Sequence, residues 1–179
     1  MTNYYEFLYS LISYLCIVVF VSIFSYINAY RDVYAIKNYG RPIPNSKARD
    51  KWHDLRLVMS GLFMFFVSLA SMYFAGDILR SLGDFNVQTL NLLNDTSKSL
   101  WGIATACAVS VTVDALVFDI IQNIALKRAW NYMDTTTVYS NTLRNWIQKG
   151  DKKEEFYRTV FIIEAALFVA SSILFFIIV

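Results

Sequence analysis

Residues 100–126, LWGIATACAVSVTVDALVFDIIQNIAL, carry two formal charges in twenty-seven positions, and both are carboxylates, Asp114 and Asp119. A helix of that length runs roughly 40 Å, enough to cross a hydrocarbon core of about 30 Å with some tilt. Each carboxylate in such a helix costs about 2.5–3.5 kcal/mol to insert, so it turns toward protein or water and away from lipid. The rest of the chain has to supply that enclosure.

The composition fits this requirement. Only 17% of the 179 residues are charged and 56% are hydrophobic, whereas soluble domains carry about 25% charge. The charges gather in blocks and leave four runs nearly free of them, at about 7–30, 57–76, 100–126 and 160–179. The expected fold is an all-α integral membrane protein, a bundle of four transmembrane helices forming one domain over residues 1–179. Cys16 and Cys107 each sit in an apolar run and read as small buried residues, with no metal-ligand or disulfide spacing. The opening MTNYYE lacks the basic region of a secretory signal, so the first run is expected to be retained.

Basic residues set the expected orientation. Fourteen of the sixteen Lys and Arg fall in two segments, 31–56 and 127–159, and the other two, Arg80 and Lys98, lie in 77–99. The positive-inside rule places the first two segments in the cytoplasm, the third outside, and both termini outside. The implied location is a bacterial inner (plasma) membrane, crossed several times.

Those segments also carry local signals. Gly40-Arg41-Pro42-Ile43-Pro44 must break any helix, because proline lacks the backbone donor and fixes φ. Ser46 is placed to cap a helix entering the second run. His53, the single histidine, lies beside Trp52 and Asp54 and reads as an interfacial residue and not a catalyst. Ser60, Gly61, Ser68 and Ser71 offer close-packing positions in the second run, which Asp77 and Arg80 are expected to end. Further on, Tyr139, Leu143, Trp146 and Ile147 recur at helical spacing, an apolar stripe on a polar helix that includes Arg144.

Glu164 is the acid of the fourth run. Measured from the cytoplasmic edges of their runs, Asp119 lies about 10 Å deep, Asp114 about 18 Å and Glu164 roughly 6 Å, so Asp119 and Glu164 are expected to meet. Asp114 and Asp119 are separated by about 140° around the helix and face different neighbours. Gln122 and Asn123 extend the polar face of Asp119 toward the cytoplasmic surface, and Ser110 extends that of Asp114 outward. Such a series can form a hydrated or protonatable track. It can equally be a set of structural locks paired with Arg56, Lys127 or Arg158 at the rim. Two carboxylates offer too few oxygen ligands for a divalent ion, so no metal is expected.

No phosphate-binding glycine loop and no zinc, redox or nucleophile motif occurs, so neither enzymatic activity nor a cofactor is expected. Two functions fit. The first is a non-enzymatic oligomeric membrane subunit whose basic, aromatic cytoplasmic loops dock a soluble partner protein or anionic lipid. Tyr139, Leu143, Arg144, Trp146, Ile147, Trp52 and His53 would form that surface, as in an anchor or sensor of a larger complex such as a bacterial defence system. Contact with nucleic acid is not expected. The second is a pore-forming or ion-conducting oligomer with Asp114 or Asp119 lining its path. In both, homo-oligomer contacts would use the small-residue pairs Ala104 with Ala108 and Ala166 with Ala170.

Overall fold

The structure is a computed structural model that describes the backbone of residues 2–39, 47–81, 96–128 and 153–179. It contains four helices: α1 (Thr2–Tyr39), α2 (Lys47–Ser81), α3 (Thr96–Ala125) and α4 (Lys153–Ile178). Each contains a segment long and apolar enough to cross a membrane, and no strand occurs among the described residues.

Two boundaries differ from the sequence reading. Helix α1 does not stop at residue 30 but continues through Arg31 and Asp32 to Tyr39. The stretch RDVYAIKNY is charged enough to resemble a loop, yet nothing in it breaks a helix. Likewise α2 does not end at Asp77. It includes both Asp77 and Arg80, which pair across one turn at 3.5 Å, and stops at Ser81. At its start, α2 begins at Lys47, one residue after the expected cap, and Ser46 itself lies outside the described residues.

Side-chain contacts fix the register. The rings of Phe24 and Phe63 stack at 3.7 Å between α1 and α2. Ser25 of α1 bonds Asp114 of α3, Ser68 of α2 bonds Ser110 of α3, and Thr112 of α3 bonds Ser171 of α4. Tyr14 near the start of α1 bonds Ser172 near the end of α4. Successive helices therefore run antiparallel, and α3 touches the other three. On α1 every fourth residue from Tyr9 to Val33 is buried: Tyr9, Ser13, Ile17, Val21, Ser25, Ala29 and Val33. A row with that spacing winds slowly around the helix, so α1 meets α4, α2 and α3 in turn along its length.

The bundle interior mixes apolar and polar side chains, and its outside is largely apolar. Ile17, Val21, Met64, Ala106, Val109 and Phe175 form its apolar core. Eleven polar or charged residues, eight of them Ser or Thr, are buried among them. Large apolar side chains such as Val19, Phe66, Tyr73, Val111 and Ile177 project from the surface. Gly61, read from sequence as a packing position, belongs to that surface: a Cβ added there would meet nothing within 4 Å.

Candidate functional site

The buried hydroxyls exist because serine in a helix can return its proton to the carbonyl one turn back, which lets it sit in an apolar interior. Ser25 donates to Val21 O at 2.7 Å, Ser68 to Met64 O at 2.7 Å, and Ser110 to Ala106 O at 3.0 Å. Each of the three also reaches a neighbouring helix. Ser68 Oγ and Ser110 Oγ are 3.0 Å apart. The two hydroxyls hold two protons for three hydrogen bonds, so either can swing its proton across the α2–α3 interface.

One turn further along α3, Asp114 Oδ1 lies 2.6 Å from Ser25 Oγ. Ser25 has a single proton and two acceptors in reach, Asp114 and Val21 O. Both bonds are complete when Asp114 supplies a proton of its own, or when the hydroxyl shares its proton between the two. The site is thus a carboxyl–hydroxyl pair that can exchange donor and acceptor roles without moving a heavy atom.

Asp119 turns from that interface toward α4, where it is an electrostatic neighbour of Glu164. Glu164 is 7% exposed and Asn123, one turn past Asp119, is 3% exposed. Gln122 is half-buried. The acids of α3 therefore serve two helix interfaces, Asp114 toward α1 and Asp119 toward α4, in keeping with the offset read from sequence. From Ser110 through Asp114 and Asp119 to Asn123 the polar groups of α3 descend about 20 Å.

A fourth acid belongs to this region. Asp32 is 4% exposed, and the exposed Arg31 guanidinium reaches it at 3.4 Å. The extension of α1 carries it inward, and a reading that closed the helix at residue 30 could not place it. The buried spacing from Ser25 through Ala29 to Asp32 is the signal that would have found it.

At the foot of α3, Lys127 has a φ of 56°. Arg128 N donates to Asn123 O at 2.8 Å and Lys127 N to Ile124 O at 3.0 Å, a left-handed cap that ends the helix. Lys127 is exposed there.

The small-residue pairs lie on the outside of the bundle, with Ala104, Ala108, Ala166 and Ala170 all exposed. The side chains of Trp52, His53 and Arg56, and residues Tyr139, Leu143, Arg144, Trp146 and Ile147 altogether, lie outside the described residues. Among the described residues no three His, Cys, Asp or Glu side chains gather as a metal-binding group. Comparison with protein families, characterised proteins and solved structures finds nothing that matches this chain.

Proposed function

We propose that this chain is a non-enzymatic, multi-pass membrane protein, of a bacterial plasma membrane, that carries protons or small cations along the carboxylates of its bundle. The observation behind this reading is the Ser25–Asp114 pair, a role-exchanging, part-buried proton site between α1 and α3. Asp119, Glu164 and Asp32 continue the acidic series, and intramembrane acids facing a bundle interior are the usual substance of ion and proton pathways. The apolar exterior supports immersion in lipid, since water would leave an apolar surface of this extent unsatisfied. The experiment is flux into liposomes holding the purified protein and an internal pH dye. Under an imposed gradient the wild type should conduct, and Asp114→Asn and Glu164→Gln should each lower the rate at least tenfold. Wild-type vesicles no leakier than empty ones would remove the reading.

A second reading draws on the outward position of Ala104, Ala108, Ala166 and Ala170. Small residues on a lipid-facing surface let a second helix approach closely. The chain would then be a self-assembling subunit whose basic loops dock a soluble cytoplasmic protein or anionic lipid. Flotation of the loop segments with anionic but not neutral vesicles tests its lipid arm, and co-purification of a stoichiometric soluble protein tests the other.

A further inference from the structure

We infer that the half of the bundle beyond Asp114, toward the start of α1, holds a file of buried water that links this acid to that end. The inference rests on the charge-carrying reading for its purpose, though its test does not depend on conduction. Ser13 Oγ and Ser71 Oγ are fully buried and hydrogen-bond to no protein group. Tyr9, itself buried, lies alongside Ser13. A buried hydroxyl left without a partner bears its desolvation cost uncompensated, and water is the partner that fits two such groups lying among other hydroxyls.

The register places these groups in sequence. Because Phe24 stacks on Phe63 and the helices are antiparallel, Ser71 lies level with the part of α1 just past Ser13. Ser68 follows, joined to Ser110. Next along α3 comes Asp114, joined to Ser25. Between Ser13 and Ser25 the buried row of α1 is apolar, occupied by Ile17 and Val21. The hydroxyls of α2 and α3 fill that interval. Along the axis, successive oxygens step by about 3–6 Å.

Among the described residues this half has no formal charge in its interior: the buried polar residues there are Tyr9, Ser10, Ser13, Ser68, Ser71, Thr105, Ser110 and Ser171. Hydroxyls and water both donate and accept, so a proton can pass by successive transfers. A metal cation would need several oxygens at once to replace its hydration shell, and a single file of hydroxyls does not offer them. The cargo class that fits is therefore the proton.

The test is water access. Cys16 and Cys107 are replaced by alanine, and Ser13→Cys, Ser71→Cys and the lipid-facing control Val19→Cys are made one at a time in liposomes. Silver ion, close to water in size, is added, and unreacted thiol is then counted with a maleimide after denaturation. Thiols react as thiolates, which form where water reaches. Ser13→Cys and Ser71→Cys should react at least tenfold faster than Val19→Cys. Rates equal to the control would overturn the water file, even if the protein conducts. Fast reaction in a protein that shows no flux would uphold the file and reject only the charge-carrying reading.

Discussion

Ser25 Oγ and Asp114 Oδ1 stand 2.6 Å apart across the interface of two helices that run in the same direction, separated by eighty-nine residues of sequence. A hydroxyl from α1 thus helps to satisfy a carboxyl of α3. Removing either partner tests different things. Ser25→Ala leaves the carboxyl short of one bond and should destabilise the detergent-purified protein by about 1–2 kcal/mol, read as a lower thermal midpoint. Asp114→Asn keeps an oxygen that can accept from Ser25, and should shift stability by less than about 1 kcal/mol while lowering the proposed flux at least tenfold. A large stability loss in Asp114→Asn would mean that the negative charge itself holds the helices.

Asp119 sets the complementary case. Beside the buried Glu164 it works at the α3–α4 interface, and Asp119→Asn should lower both thermal stability and the yield of folded protein. If the acid is held by a basic neighbour, losing its charge strands that neighbour at a cost of about 3–5 kcal/mol. Unchanged stability, measured alongside Asp114→Asn, would make Asp119 part of a solvated path and nothing more.

Ser68 and Ser110 lend themselves to a double-mutant cycle. Polar contacts between helices in lipid have coupling energies near 0.6 kcal/mol, with about 1.7 kcal/mol as an upper value. Ser68→Ala and Ser110→Ala should show coupling of that size because the hydroxyls face each other at 3.0 Å. Strict additivity would show that each is satisfied by its own helix alone.

The outward alanines give a prediction for assembly. Ala166→Leu with Ala170→Leu should reduce the oligomer mass in mass photometry without altering the monomer fold, since neither residue is buried in the bundle. An unchanged mass would take this face out of any interface.

Orientation is checked by labelling. With fourteen of the sixteen basic residues in two segments, cysteines introduced at Thr2 and Val179 should react with an impermeant reagent added to intact cells. Reaction only after permeabilisation would reverse the topology.

The four helices were legible because runs of twenty apolar residues have few other uses. The approach of Asp119 to Glu164 was legible too, because depth along a helix follows directly from residue number. Asp32 was not: its neighbours are charged, and hydropathy cannot separate a helix that continues past the apolar zone from a loop. Nor was the role of the serines. Ser68 and Ser71 read as small residues that let helices approach, and Gly61 read the same way. In the structure the two serines are fully buried, one of them bonded across an interface, while Gly61 faces outward. Size is visible in a sequence, but the side of the helix on which it counts depends on partners far along the chain.

The left-handed cap at Lys127 bears on how the molecule would respond to bilayer thickness if its helices span one. Asp119 lies eight residues before that stop, about 12 Å up a helix whose end is fixed by its own hydrogen bonds. In a thicker or thinner membrane the helices relieve the mismatch by tilting or by deforming the lipid, at fractions of a kcal/mol per Å. They cannot relieve it by unwinding the foot of α3 without breaking the cap. The spacing of Asp119 from the end of α3 therefore belongs to the protein and is set by the helix itself.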